Sequence, residues 1–379
     1  MSPVATEGTL RIVVAAPAEN AWSETFIAAH IDRLSKVELL VSGGVPPRNA
    51  SHGGPLVRTH GLLAYWDRFV GRRFGGQPGL AEHRLAHRLE RLRPDVVLAE
   101  YGNMGAEIVE ACRSAGVPLV AHFHGFDAHR TDYIAQYGNY RELFRYASAL
   151  VVVSRAMEAQ LLRIGAPREK VVYNCYGIDV DRFTPGRPDL APPHFLAVGR
   201  FAEKKAPHLT IRAFSQVVAQ RPQARLTMVG QGRLWQQCRA LVDELGLQES
   251  VDLCGVKTPD AIVDLMHASR AFVQHSVVTA SNDHEGTPLA VLEAMASGVP
   301  VVSTRHAGIA DVVAHEERGL LCAEHDVEAM AAHMIRLVDD PALALAMGTA
   351  GRAYTEKAHR VEVQVVNLQG ILHQAVHRA

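Results

Sequence analysis

Short runs of β-branched and aliphatic residues alternate along this chain with longer stretches whose apolar positions recur every three or four residues. In the first half, Arg11–Ala15, Val37–Val41, Asp95–Ala99, Pro118–Ala121, Leu150–Val153 and Lys170–Tyr173 read as strands. Glu24–Leu34, Ala81–Leu92, Gly105–Ser114, Tyr140–Ala147 and Ala156–Ile164 read as the helices between them. The connection from Gly43 to Gly79 is long and rich in Gly and Pro, so it reads as a loop. Between Gly177 and Pro193 the composition shifts: Pro185, Gly186, Pro188, Pro192 and Pro193 crowd together. That is the pattern of a linker, at about residues 181–193.

The alternation then restarts. Phe195–Val198, Arg225–Val229, Val251–Leu253, Ala271–Gln274 and Val299–Ser303 read as strands. Pro207–Ala219, Leu234–Leu245, Asp260–Met266, Pro288–Ser297, Val327–Val338, Ala342–Glu356 and Val361–Ala375 read as helices. Strands separated by helices mean βα units and mostly parallel sheets. The expected architecture is two doubly wound, Rossmann-like α/β domains, residues 1–180 and 194–358, facing across a cleft. The last helix, within residues 361–379, is expected to pack back on the first domain. Ligands in such sheets bind beyond the carboxyl ends of the strands.

Composition narrows the class. With 379 residues, 48% hydrophobic and 21% charged, the chain can bury a substantial core without metals or disulfides. A net charge of −1 gives no signature of nucleic-acid binding. The five cysteines, at 112, 175, 238, 254 and 322, have no paired short spacing, which argues against a zinc site or a disulfide framework and for a reducing compartment. No basic-then-apolar leader opens the sequence and no apolar run approaches the roughly 20 residues of a membrane span, so a cytoplasmic protein is expected. One local excess stands out: Arg68–Arg93 holds seven arginines against two acids, with Phe69, Val70 and Phe74 interleaved. It reads either as a solvated helix face or as a peripheral contact with the anionic inner face of the plasma membrane or with a lipid-linked acceptor.

The segment richest in chemistry is Asp283–Pro300. Thr287 suits an N-cap, Pro288 a first helical position and Gly298 the residue past the end, so a helix of about ten residues begins after Glu285 and Gly286. Its first amides have no helical acceptor, and such an end binds phosphate. Glu285 lies in the loop and Glu293 within the helix. Eight positions at roughly 100° each turn the second carboxylate about 80° away, so the two are suited to hold two parts of one elongated ligand rather than to act as a close acid–base pair. Carboxylates accept from sugar and ribose hydroxyls. The bland alternative is a loop acid and a helix acid in an ordinary αβ unit, but a carboxylate amid Leu292, Ala294 and Met295 is costly without a partner. Upstream, Val198-Gly199-Arg200 to Lys205-Ala206-Pro207 runs from a strand end to a helix start. Arg200 and Lys205 thus lie over the strand ends, where two cations suit a diphosphate. Gly230-Gln231-Gly232 is another strand-end turn, without the third glycine of a dinucleotide fingerprint.

Taken together, the Glu285–Glu293 segment, Gly199-Arg200 and Lys205-Ala206-Pro207 resemble the retaining family 4 glycosyltransferases of GT-B fold, in the style of bacterial exopolysaccharide and colanic-acid-type enzymes. His122-Phe123-His124-Gly125-Phe126-Asp127 resembles the family's His-Gly-x-Asp motif; Tyr176-Gly177-Ile178-Asp179, Ser303–Ile309 and Gly319-Leu320-Leu321 extend the likeness toward the last helix. The resemblance implies that Arg200 and Lys205 bind the donor diphosphate and that Glu285 contacts donor-sugar hydroxyls. It implies that backbone amides near Leu289 and Ala290 meet the distal phosphate, with Gly286, Thr287 and Pro288 also on the donor side, and that Glu293 holds the ribose. The loop Gly255-Val256-Lys257 falls on the base, Gly230 within the donor site and His124 beside the sugar, while His122 reads as structural. The first loop, Pro17 to Thr25, departs from the family's Gly-Gly turn, leaving Ser23 as a helix cap. The implied reaction is metal-independent, retaining transfer of a hexose from a nucleotide sugar, UDP favoured over GDP, to a saccharide, lipid-linked or small-molecule hydroxyl, with no cofactor and with the leaving phosphate assisting deprotonation. An epimerase or hydrolase on the same fold, and a non-catalytic nucleotide-sugar sensor, stay open as alternatives. A dehydrogenase does not, for want of Gly-x-Gly-x-x-Gly after the first strand.

Overall fold

The computed structural model of the chain describes residues 9–18, 25–58, 62–71, 73 and 77–378. Ser23 and the rest of the first loop from Glu19 to Glu24 lie outside the described residues, as do Arg72 and Phe74. The chain divides into two compact units: Met1–Val153 with Met157–Asn174 and Gln364–Ala379, and Ser154–Ala156 with Cys175–Val363.

The first unit is built on a seven-stranded sheet of β1 (Ile12–Ala15), β2 (Val37–Ser42), β3 (Asn49–Ala50), β4 (Val96–Glu100), β5 (Leu119–Phe123), β6 (Ala149–Val152) and β7 (Val171–Tyr173). Its order is β3-β2-β1-β4-β5-β6-β7, parallel apart from the β2–β3 pair. Every residue of β1, β4, β5 and β6 is buried, the reason these strands read as unbroken apolar runs rather than as alternations. The second unit holds an all-parallel sheet of β8 (His194–Val198), β9 (Arg225–Val229), β10 (Val251–Gly255), β11 (Ala271–Gln274), β12 (Val301–Thr304) and β13 (Gly319–Cys322), in the order β10-β9-β8-β11-β12-β13. In each sheet the winding reverses beside its first strand, between β1 and β4 and between β8 and β11. Such reversals open a crevice at the carboxyl ends of the strands.

Several sequence expectations change. The long loop from Gly43 to Gly79 contains β3 and a helix, Leu62–Gly71. Gly319–Cys322, read only as a motif, is the edge strand β13, and short helices at Phe126–His129 and Thr131–Gln136 follow β5. The Pro-rich stretch of the expected linker is folded onto the second unit: Gly186 N–H donates to Ser297 O at 2.8 Å and Phe183 is buried. The arginine run is not one free basic face. Arg84 is spent on Asp67 (2.7 and 2.9 Å) and Leu56 O, and Arg88 on the carbonyls of His52, Gly53 and Gly54. All five cysteines are free thiols; Cys238 and Cys322 pack in the second unit's core with Phe195, Phe214 and Met334. The last helix, Val361–Arg378, joins the first unit from Gln364 onward, where Gln369 Oε1 accepts from Ser35 N–H.

Candidate functional site

Two loops meet at the β8–β11 reversal of the second unit. The first, after β8, runs through a single 3₁₀ turn, Glu203–Lys205, into the helix Pro207–Gln220. Glycine is required at its start: a Cβ on Gly199 would lie 2.8 Å from Lys205 Cδ, so only a bare backbone lets the lysine fold back across the strand end. Lys205 Nζ reaches Glu285 Oε1 of the second loop at 3.3 Å and Gln274 Oε1, at the end of β11, at 3.4 Å. Its neighbour Lys204 staples the same two loops, donating to Asp283 Oδ1 and His284 O, both at 3.1 Å, while its carbonyl accepts from Val277 N–H. The tandem lysines therefore divide the work: one fixes the loops, the other sits in the pocket. Arg200 lines that pocket with Gly199, Lys205 and Gln274, and its side chain is exposed.

Burial opposes the charge on both members of the central pair. It lowers the Lys205 pKa against the pull of Glu285. For Glu285, 6% exposed, burial is outweighed chiefly by Lys205 and Lys204, and the carboxyl is held down at about 2. Glu285 is thus ionised at neutral pH, and Lys205 faces it at 3.3 Å. Lys204, engaged with Asp283, and Arg200 supply the surrounding positive field.

The Glu285 loop has a support that spacing did not announce. Glu285 N–H donates to His306 Nε2 at 3.0 Å, His306 Nδ1 meets Glu324 Oε1 at 2.6 Å, and Glu324 Oε2 accepts from Val278 N–H at 2.8 Å. Because Nε2 accepts, the imidazole is neutral with its proton on Nδ1. The helix that follows is Leu289–Ala296, with Pro288 rather than Thr287 at its cap position and no side-chain cap. Thr287 instead packs against Gly308, which also donates its N–H to Gly286 O. The helical hydrogen bonds begin at Val291 N–H to Pro288 O, so the amides of Leu289 and Ala290 precede them. Glu293 is half-buried: burial raises its pKa to about 7, against the weaker opposing effect of Arg182 and Lys205. Gly230, at φ +129°, donates to Gly255 O at 2.8 Å, which fixes the loop presenting exposed Val256 and Lys257.

The equivalent reversal of the first unit carries different chemistry. Glu100, the last residue of β4, is fully buried. Its Oε1 takes His30 Nδ1 at 2.8 Å and its Oε2 takes His124 Nε2 at 2.8 Å, with His122 Nδ1 at 3.7 Å. Burial opposes ionisation of Glu100, but His30 and His124 outweigh it and hold the carboxyl well below its usual range. His124, expected beside the sugar, has a side chain only 2% exposed that is turned toward Glu100. Asp127 of the same motif is structural in its contacts: it accepts from the amides of Gly102, His124 and Gly125 at 2.8–3.0 Å and ties the β4 and β5 ends together. Among the described residues, the ligand-type atoms of His30, Glu100 and His122 lie within 4.8 Å of one another. Both Glu100 oxygens are already in short hydrogen bonds, and the His30 and His122 rings stack with centroids 5.3 Å apart at 22°. That arrangement favours an imidazole–carboxylate network over lone pairs converging on an ion.

Comparisons with known proteins agree with this reading of fold and motifs. The model of the Glycosyltransferase Family 4 matches residues 28–182 and that of the Glycosyl transferases group 1 matches residues 183–354. The chain is 32% identical over 284 residues to the putative colanic acid biosynthesis glycosyltransferase WcaL of Escherichia coli K12, covering 73% of this chain and 69% of that protein. It is 31% identical over 284 residues to the amylovoran biosynthesis glycosyltransferase AmsK of Erwinia amylovora, covering 73% and 70%. The structure of Anabaena HepE in complex with UDP and glucose shares the fold at a TM-score of 0.75 and 16% identity, covering 96% of this chain and 99% of that one. This chain belongs to the family 4, group 1 glycosyltransferases, on the GT-B fold.

Proposed function

We propose that this glycosyltransferase moves a hexose from a nucleoside-diphosphate sugar, UDP favoured, to a hydroxyl acceptor in cell-surface polysaccharide or glycolipid synthesis, with retention and without a metal. The Lys205–Glu285 pair at the β8–β11 reversal carries the reading. A diphosphate entering the pocket competes with Glu285 for Lys205, and the released carboxylate turns to the hydroxyls of the donor sugar. Lys205 and Arg200, with the amides of Leu289 and Ala290, meet the charge that grows on the leaving diphosphate, the task an ion would otherwise serve. Glu293 takes the ribose diol, and the loop of Gly230, Val256 and Lys257 the base. The leaving phosphate assists the acceptor's deprotonation, so no protein base is assigned. The first unit serves the acceptor and the sugar, with His124 held in register by Glu100. Five free thiols support a reducing, cytoplasmic setting, and a lipid-linked acceptor would place the enzyme at the inner face of the plasma membrane.

Lys205→Ala tests the assignment. Turnover should fall by about two to three powers of ten, read as transfer from UDP-sugar to acceptor, with UDP affinity followed by calorimetry. Transfer at the parent rate would sink the site. Free epimer formed without acceptor would favour the epimerase reading instead, and tight UDP binding with no transfer to any acceptor a sensor.

A further inference from the structure

The helix Leu62–Gly71 is turned inside out. Its one acid, Asp67, is fully buried, and accepts from both Arg84 Nη groups, at 2.7 and 2.9 Å, and from Arg58 N–H at 2.8 Å. Ala64, one turn earlier, is 1% exposed on the same side. Leu63, Tyr65, Trp66 and Phe69 are 55%, 69%, 62% and 67% exposed. At roughly 100° per residue these four fill an arc of about 160° opposite Ala64 and Asp67. An amphipathic helix on a core does the reverse. The orientation is not slack, because the buried Asp67–Arg84 fork fixes which side faces in. Trp66 and Phe69 already lean together, with ring centroids 6.1 Å apart.

We propose that this face is a membrane-contact surface: the helix lies flat in the interface of an anionic bilayer, with Leu63, Tyr65, Trp66 and Phe69 inserted. Three features favour lipid over a protein partner. The first is residue type, since Trp and Tyr with flanking arginines are the side chains that settle at the headgroup boundary. The second is charge: residues 57–81 contain four arginines (58, 68, 72, 73) and one acid, Asp67, a balance of 4 − 1 = +3, and that acid is withdrawn into the fork with Arg84. The third is size. Aromatic side chains offer about 150–250 Å² each, so three of them at two-thirds exposure present roughly 300–500 Å². A stable protein interface needs about 800 Å² per partner, whereas a shallow interfacial helix needs no more than one apolar face. The arginine run pointed to this region, but its contact is the aromatic face, because Arg84 and Arg88 are committed within the fold. Among the described residues no helix is long and apolar enough to cross a membrane, so this surface would lie on the bilayer and not through it.

The proposal deepens the membrane-peripheral placement above and is independent of the donor chemistry. The test is co-sedimentation of the full chain with vesicles of phosphatidylcholine alone and of phosphatidylcholine mixed with phosphatidylglycerol. The parent should bind the anionic vesicles, and the double variant Trp66→Ser, Phe69→Ser should bind at least about tenfold more weakly. A parallel calorimetric titration with UDP reads the second unit: unchanged UDP affinity in the double variant isolates the lipid contact, and a parent that binds no UDP would speak against the donor site alone. A second form, with Trp22→Phe and Trp235→Phe leaving Trp66 as reporter, should shift its fluorescence to the blue on adding anionic vesicles. Parent-like vesicle binding by the double variant overturns the proposal. So does absence of binding to either vesicle, including the case in which the parent is a dimer that the double variant splits.

Discussion

The two units place their chemistry at the same topological point and fill it with opposite materials. At the β1–β4 reversal a single carboxylate, Glu100, is ringed by the imidazoles of His30, His122 and His124. At the β8–β11 reversal two lysines stand among acids, Lys205 against Glu285 and Lys204 against Asp283, with Arg200 exposed beside them. Fixed cations answer a ligand whose charge is fixed, such as a diphosphate. Imidazoles answer chemistry in which protons and hydroxyls matter. On the function proposed above, one fold used twice would separate holding the charged leaving group from holding the neutral sugar and its acceptor, and the separation can be tested from either side.

The largest expected effect comes from the buried carboxylate. Glu100→Ala leaves His30 and His124 without their acceptor in a fully buried setting. Removing one partner from such a network costs about 3–5 kcal/mol, read as a lower urea midpoint for the first unit. UDP affinity should stay at the parent value while transfer falls. If UDP affinity fell in proportion, the division of roles between the two reversals would be wrong. Glu100→Gln keeps the shape and one hydrogen bond, so it should recover most of the stability and shift the pH profile of transfer.

A middle-sized effect separates support from contact. Glu324 touches neither lysine; its described bonds are to His306 Nδ1 and Val278 N–H. Glu324→Ala removes the acceptor that keeps the His306 proton on Nδ1, and with it the neutral Nε2 that holds Glu285 N–H. Hydrogen bonds to charged groups contribute about 1.5–3 kcal/mol; if that loss falls on the placing of Glu285, turnover should drop by roughly ten- to a hundredfold. A loss in Glu324→Ala matching that of Lys205→Ala would place Glu324 in the site rather than behind it.

These two predictions also mark where the sequence was legible. Lys205, Arg200, Glu285 and Glu293 lie in two continuous segments, so strand-end and helix-start signals located them without a fold. Glu100, His30 and His124 come from β4, the helix Thr25–Arg33 and the turn after β5, far apart in sequence, and only the parallel order of β1, β4 and β5 brings them together. His306 and Glu324 likewise follow β12 and β13, neighbours only once the sheet exists. The cap position falls on Pro288, one residue past Thr287, because the helix begins at Leu289. The helix Leu62–Gly71 hid inside a loop assignment because Gly and Pro flank it; its length, ten residues, is ordinary.

The smallest effect concerns Glu293, where stability and binding should move in opposite directions. Its carboxyl has a folded pKa of about 7 against an ordinary 4.5, because burial disfavours the charge. The folded state therefore holds this proton more tightly than the unfolded chain. The stability contribution is fully present below pH 4.5, is lost as pH rises through about 7, and stays lost above it. Glu293→Gln removes the need to carry that charge, so its melting temperature should exceed the parent's at pH 8 and match it near pH 5. Binding runs the other way. The ribose diol is held by the ionised form, so UDP affinity of the parent should fall roughly tenfold between pH 8 and pH 6, while the Gln variant, weaker at pH 8, should show a shallower dependence that leaves only the titration of UDP itself. A parent profile no steeper than the variant's would remove Glu293 from the ribose and leave it a core acid, and the second unit would then hold its ligand by the phosphates alone.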